Sequence, residues 1–164
     1  MSAAQLSTFS VNGYLFGAEV GVVQEVIRYQ PMTRVPLAPA ALAGLINLRG
    51  QVITAVDLRR RLGFPDRAAG ELPMDVIVRT RDGLVSLLVD RIGDVVEVDE
   101  ATFEEPPETL LGVGRELIRG AYKLDHTLLL PLDVQGVVEL PPHAGGSGIA
   151  AATPMSSYDA RPHP

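Results

Sequence analysis

The 164-residue chain contains no cysteine and no tryptophan. Without thiols it can form neither a disulfide nor a thiolate metal site, and nothing in it reports a redox compartment. Aromatic residues are scarce, at 5%, although hydrophobic residues make up 46%. A core of that size with so few rings must be built from Val, Leu and Ile, which suit the pleated surface of a sheet. Long apolar runs are also missing. The longest uncharged apolar stretch falls far short of the ~20 residues that span a bilayer, and Met1 to Ser7 lacks the basic and apolar regions of a secretory leader. These features lead us to expect a cytoplasmic protein without direct membrane insertion. There is no basic excess either. The net charge is −6, whereas phosphate binding needs a basic stripe. Arg49, Arg59, Arg60 and Arg61 are too few, and too near acidic neighbours, to make nucleic acid a partner.

What the chain does have is a succession of short apolar runs punctuated by turn residues. Leu6–Val11 and Tyr14–Val20 flank Asn12-Gly13, a hairpin signal because both turn positions need positive φ. A helical turn is expected at Gly21–Gln24 and a strand at Glu25–Tyr29. Pro39 to Gly44 reads as a short helix, with proline in the first turn and glycine at the stop. Leu45–Leu48 and Gln51–Val56 form a second hairpin around Arg49-Gly50. Asp57 is placed to cap a helix over Leu58–Leu62 that stops at Gly63. A linker, Phe64–Pro73, leads to a third hairpin, Met74–Arg79 and Leu84–Val89, around Arg81-Asp82-Gly83. Further strands are expected at Asp94–Val98, Ile118–Leu124 and Thr127–Leu132. A helical turn is expected at Thr109–Leu111 and a closing helix at Asp133–Leu140. Beyond Pro141 the composition becomes rich in Gly, Pro, Ser and Ala, and a low-complexity tail over 141–164 is expected. Roughly nine or ten short strands point to a sandwich or barrel. The halves look alike in plan, and each, at ~65 residues, would bury little alone. Two small barrels sharing an apolar seam would solve that problem. The expected division is subdomain 1 over about 5–64, subdomain 2 over about 73–132 and a closing segment over 133–140.

Catalytic groups are hard to find. His143 and His163 lie in the tail, and His126 stands alone beside Asp125 at a hairpin tip, so no metal site and no cofactor are expected. Gly145-Gly146-Ser147-Gly148 follows no strand and reads as a linker, not a nucleophile turn. Gly112-Val113-Gly114 lacks the third glycine of a phosphate loop. The carboxylates Asp94, Glu97, Asp99 and Glu100, with Glu104, Glu105 and Glu108, could in principle perform acid/base work. No cleft or cationic partner is evident in the sequence, and such clusters more often form a solvated face.

One segment stands out. Asn47-Leu48-Arg49-Gly50 is followed by Val52-Ile53 and then Val56-Asp57-Leu58-Arg59. An arginine in a tight turn between two strands sits on a rigid base, and a guanidinium suits a planar, multi-donor contact with a partner. Arg49 could equally close its own hairpin by bonding nearby carbonyls. Spacing alone does not choose between the two.

These residues resemble the signature of the CheW-type coupling proteins of bacterial chemotaxis, Asn-Leu-Arg-Gly, then apolar residues, then Asp-Leu-Arg. The likeness extends to Phe16 with Val22–Ile27, to Thr33-Arg34-Val35-Pro36 through Pro39 and Gly44, to Leu88-Val89-Asp90-Arg91-Ile92, and to Ile118-Arg119-Gly120 with Leu129–Asp133. It covers about residues 5 to 140. The resemblance implies a mainly β fold of two five-stranded, SH3-like barrels on a shared core with a few short helices. It implies a scaffold and no enzyme, one that couples the cytoplasmic tip of a chemoreceptor to the regulatory domain of a sensor histidine kinase in receptor arrays at the membrane. Matching positions imply a receptor-binding surface of Val23, Glu25, Arg49 and Val95, with Asn47, Leu48, Gly50, Asp57, Leu58 and Arg59 completing the signature. The two valines would give apolar contact to a receptor helix, Arg49 would orient it, and Glu25 would pair with a receptor cation or restrain Arg49.

The chain departs from the pattern at Thr54, usually proline, at Ala43, often charged, and at Leu37, often polar. Gly136 weakens the closing helix. Two rival expectations remain: a paralogue that binds a receptor without the kinase or serves gliding or pilus motility, and, from a different class, a small acid/base hydrolase.

Overall fold

In the computed structural model, which describes residues 3–106 and 113–140, all three glycine-turn signals become hairpins. Strands β1 (Ala3–Val11) and β2 (Tyr14–Glu19) meet at Asn12 and Gly13, with φ of 53° and 83°. After β3 (Val23–Ile27), strands β4 (Leu42–Leu48) and β5 (Gln51–Asp57) turn through Arg49 and Gly50, with φ of 50° and 86°. This left-handed pair matches the right-handed twist of the flanking strands. Helix α1 (Leu58–Arg61) then leads through the 64–73 segment to the hairpin of β6 (Met74–Thr80) and β7 (Gly83–Val89). The rest is β8 (Arg91–Asp99), a 3₁₀ turn at Glu100–Thr102, β9 (Phe103–Glu104), α2 (Val113–Glu116), β10 (Ala121–Lys123), β11 (Leu128–Pro131) and α3 (Val134–Val138). The expected turn at Thr109–Leu111 and the tail over 141–164 lie outside the described residues.

The strands form two sheets, ordered β8-β1-β2-β11-β10-β9 and β3-β6-β7-β5-β4. Both curl into small barrels. In a flat six-stranded sheet the edge strands would stand about 24 Å apart. Here β8 runs into β9 through only the residues Glu100–Thr102, a link that reaches at most about 14 Å. In the second sheet the edge strands β3 and β4 also come together, since Ile27 packs against a cluster containing Ile46, Leu48 and Ile53. The main core lies between the barrels. It joins Phe9, Val11 and Phe16 of the first sheet to Val56, Val76, Val78, Leu87 and Val89 of the second, with Leu58, Leu62, Val134 and Val137 from the helices.

The sheets do not match the two sequence halves. The first draws its strands from both ends of the chain and the second from the middle. The chain changes sheets twice, at residues 20–22 after β2 and at the single residue Asp90 between β7 and β8. The expected helical turn at Gly21–Gln24 is such a crossing. Val22 donates to the carbonyl of Glu19 at 2.9 Å, and the ladder of β3 against β6 begins at Val23.

The expected helix over Pro39–Gly44 is replaced by a turn and the start of β4. The reason is a tertiary contact. Thr33 and Leu45 exchange two backbone hydrogen bonds, both 2.8 Å, which hold residues 42–45 extended. Gly44 makes this approach possible, since a Cβ there would stand 2.7 Å from the Thr33 carbonyl oxygen. The strand expected from Ile118 is regular only over Ala121–Lys123, with one isolated bridge between Ile118 and Leu132. The closing helix does form, and Gly136 serves it. Asp133 caps α3 by accepting from the Gly136 N–H at 3.1 Å, and a Cβ at Gly136 would meet the Asp133 carboxylate at 2.6 Å.

Gly44→Ala is therefore expected to push Thr33 off β4 and to lower stability by about 1–3 kcal/mol. A denaturant midpoint unchanged from the parent would contradict the close approach as the reason for glycine at this position.

Candidate functional site

Arg49 sits at the tip of the β4–β5 hairpin, and its side chain is 66% exposed. It does not close its own turn. Asn47 does that, its side-chain Oδ1 accepting from the Gly50 N–H at 2.9 Å. Instead the Arg49 Nη2 donates to Glu25 Oε1 on β3. The pair links strands at opposite ends of the sheet order, so barrel closure creates it.

Magnitudes decide what this pair is worth. An exposed ion pair contributes about 0–1 kcal/mol. A left-handed backbone at a residue other than glycine costs about 1–2 kcal/mol, and Arg49 holds φ 50°. The two roughly cancel, so Arg49 adds little to stability. Its guanidinium is left pre-oriented by Glu25, with most of its surface open to a partner.

The other expected contact residues divide between the sheets. Val23 and Glu25 share β3, but the ladder against β6 shifts register between them, with Val23 opposite Val78 and Glu25 opposite Ile77. Val23 is half-buried and packs against the main core, so it serves the fold as well as the surface. Val95 lies on β8 of the other sheet, where it pairs with Ser7 of β1. It is 58% exposed and belongs to none of the apolar clusters of the described residues. The structure thus brings Glu25 and Arg49 together and shows no bond from Val95 to either. Val52 gives no separate signal in the sequence, where it is one member of an apolar run. It stands opposite Asn47 on the hairpin, with its side chain turned to solvent.

The second half of the signature is structural. Asp57 caps α1 by accepting from the Arg59 N–H at 3.0 Å, and Leu58 is fully buried. The arginines that come next are each tied to a neighbour. Arg59 makes a two-pronged contact with Asp90, Nε at 3.0 Å and Nη2 at 2.8 Å, and donates to the Pro65 carbonyl at 2.9 Å. Arg60 makes a similar contact with Asp66 and reaches the Ala40 carbonyl. Arg61 donates to the carbonyls of Gly136, Val137 and Glu139, which caps the end of α3. Burial lowers its pKa.

Asp90 is the residue that the sequence signals left unexplained. Besides Arg59, its carboxylate accepts from the Asn12 N–H at 2.8 Å and from Arg67 Nε at 2.9 Å. Its own N–H donates to the Ser10 carbonyl at 2.9 Å. The carboxylate therefore joins the first hairpin, α1 and the 64–73 segment at the point where the chain changes sheets.

Among the described residues the acidic clusters form no catalytic pair. Asp94, Glu97 and Asp99 are exposed along β8. Asp99 caps the 3₁₀ turn by accepting from the Ala101 N–H, and Glu104 lies 3.3 Å from Lys123. Glu108 lies outside the described residues. His126 is exposed at a bend. No group of three His, Asp or Glu side chains among the described residues could hold a metal ion, and no helix among them is long and apolar enough to cross a membrane.

Comparison with known proteins agrees with this geometry. The family model of the CheW-like domain matches residues 5–141. The chain is 32% identical over 135 residues to the chemotaxis protein CheW of Bacillus subtilis, covering 82% of this chain and 86% of that one. It is 30% identical over 134 residues to the chemotaxis protein CheW of Treponema pallidum, covering 79% of each. The crystal structure of the scaffolding protein TtCheW from Thermoanaerobacter tengcongensis superposes with a TM-score of 0.75 at 27% identity. That match spans 85% of this chain and 94% of that one.

The Asp90 network sets an acid limit on stability. Burial pushes the Asp90 carboxyl up, but hydrogen bonds from Arg59, Asn12 and Arg67 outweigh this and hold its pKa below the ordinary value. Its folded pKa is therefore below the unfolded value of ~3.9. The stabilisation is complete above that value and is lost as pH falls through the folded one. Asp90→Asn should lose about 2–3 kcal/mol at neutral pH by leaving Arg59 and Arg67 uncompensated. The difference from the parent should narrow at acid pH, where both side chains are neutral. Urea unfolding across a pH series measures it, and a constant difference would contradict the assignment.

Proposed function

The chain belongs to the CheW-like domain family, and on that premise we propose that it is a cytoplasmic adaptor coupling the tip of a chemoreceptor to the regulatory domain of a sensor histidine kinase. It is a chemotaxis scaffold and not an enzyme. Its work is to hold two partners in fixed relation, and membrane arrays are reached through the receptor.

The observation that carries the receptor half of this proposal is the state of Arg49. A stable fold does not need an arginine at φ 50°, yet the residue is held there by a rigid hairpin and steered by Glu25. A receptor helix laid across this surface would find apolar contact at Val23, Val52 and Val95, in the manner of helix-in-groove recognition. Its carboxylates or helix-end carbonyls would accept the free Arg49 N–H groups, and these charge-assisted bonds would fix its direction. Glu25 keeps the guanidinium from collapsing onto the barrel before the partner arrives. The shared-core architecture favours the kinase half, because two barrels in one rigid body offer a second partner a separate face.

The test is direct capture. The purified chain should retain a receptor signalling tip and, separately, a kinase regulatory domain, and retention of neither would sink the proposal. Arg49→Glu should abolish receptor capture, while the melting temperature moves by less than about 3 °C, as suits an exposed pair of small net worth. A large loss of stability would instead make Arg49 a structural residue.

A further inference from the structure

The first barrel carries a pocket that neither the fold nor the Arg49 surface explains. It lies where β2 ends at Glu19 and where β8 passes through the turn at Glu100 into β9. Leu6, Phe103 and Tyr122 also line it, and its volume is about 280 Å³. Pockets for small-molecule ligands run from about 300 to 1,000 Å³, so this one has the size of a single long side chain. Glu25 and Arg49 belong to the other barrel, and the chemistry of this pocket stands whether or not the chain couples a receptor to a kinase.

The polar groups of the pocket lack partners. Glu19 and Glu100 are exposed and make no ion pair among the described residues. Arg119 shares the lining, but its ion pair is with Asp133, at 3.7 Å. Tyr122 is only 7% exposed, yet its hydroxyl makes no hydrogen bond among the described residues. The buried side-chain atoms left without a partner there are Arg67 Nη2 and Asp75 Oδ1. The Tyr122 oxygen is therefore not sealed away, and the pocket is the open space beside it. Burial, and then the charges of Glu100 and Glu19, raise its pKa. It is a neutral phenol standing in the field of two carboxylates.

The aromatic wall is held in place. Phe103 stands opposite Tyr122 in the ladder of β9 against β10, and the two rings meet edge-on, with centroids 5.2 Å apart and planes at 61°. The Phe103 ring also lies close over Gly120, where a Cβ would stand 2.2 Å from its Cζ. Yet Phe103 is 43% exposed and belongs to none of the apolar clusters of the described residues. The fold fixes this ring without using it in a core.

Two unpaired carboxylates, an unpartnered phenol oxygen and an exposed ring suit a cation that has several donors and a flat apolar face. A guanidinium has both, whereas an ammonium supplies donors without the plane. The approach to the pocket is acidic as well. Glu97 and Asp99 are exposed on β8, and Glu105 is exposed just past β9. That field extends beyond the pocket, so it attracts a basic stretch of chain more than one small amine.

We infer that this pocket receives an arginine side chain from a basic segment of a partner protein, its guanidinium bound by Glu19, Glu100 and the Tyr122 oxygen and stacked on Phe103.

The experiment titrates the ¹⁵N-labelled full chain with an acetylated, amidated peptide of alternating arginine and serine. Two control peptides replace arginine by lysine, which keeps the charge, or by citrulline, which keeps the shape. Amide shifts are expected at residues 17–19, 100–104 and 119–122, with half-saturation below about 1 mM. The lysine peptide should bind at least about threefold more weakly, and the citrulline peptide at least about tenfold. Glu100→Gln should weaken arginine-peptide binding by about fivefold at an unchanged melting temperature. Glu97→Gln, which removes the same charge outside the pocket, should weaken it by less than about twofold. Phe103→Leu should bring the arginine and lysine peptides to nearly equal affinity. Absence of shifts at the pocket, equal binding of arginine and lysine peptides to the parent chain, or equal losses from Glu97→Gln and Glu100→Gln would overturn the inference. An arginine preference that survives Phe103→Leu would overturn the stacking.

Discussion

The Asp90 carboxylate holds the two barrels in register. Asp90 is the only residue between β7 and β8, so at this point the chain leaves one sheet and enters the other. Its carboxylate receives Arg59 from α1, Arg67 from the following segment and the Asn12 N–H from the first hairpin. Remove the charge, and two guanidinium groups that are mostly out of water lose their counter-ion where four parts of the chain meet. Burial alone would raise the pKa of this group, and the network overcomes it. A crossing of one residue has no slack, so a fixed ionic joint suits it better than apolar packing, which tolerates sliding.

The same economy shapes the signature segment. Its first half ends in an exposed arginine, and its second half is tied to Asp90, Asp66 and the carbonyls of α3. The run Arg59-Arg60-Arg61 looks basic in sequence, yet each member is tied to a different neighbour. Only Arg49 of the four keeps most of its side chain in solvent, at 66%. This is why the segment reads as one motif although it performs two tasks, anchoring α1 and presenting one side chain.

Among the described residues, the non-glycine positions with positive φ are Asn12, Leu37 and Arg49. Asn12 is the residue type its turn prefers, and its N–H binds Asp90. Leu37 and Arg49 are not, and both are exposed, the first in the segment before β4 and the second at the tip of the β4–β5 hairpin. Strain at an exposed residue that adds nothing to packing is the pattern expected of surfaces kept for partners. The departures from the family pattern at Ala43 and Thr54 weigh less in the fold than in the sequence. Both are half-buried, and Ala43 packs beside the cluster of Ile46 and Leu48.

Local chemistry was enough to predict the hairpins at Asn12-Gly13, Arg49-Gly50 and Asp82-Gly83, the Asp57 and Asp133 caps, and the β-rich core. Each of these depends on residues within a few positions of one another. The scarcity of aromatics and the absence of cysteine likewise limited the core to aliphatic side chains and closed off thiol chemistry from composition alone. Tertiary structure decided the rest. Gly44 looked like a helix stop because its reason for being glycine is Thr33, eleven positions away in sequence, whose carbonyl oxygen would stand 2.7 Å from a Cβ at Gly44. The sheets defied the two-halves plan because pairing of β1 with β8 and of β2 with β11 joins distant segments, which no local period records. Arg49 remained ambiguous until barrel closure brought Glu25 to it and showed Asn47 closing the turn in its place. Asp90 could not be assigned at all, because its partners lie 23, 31 and 78 residues away.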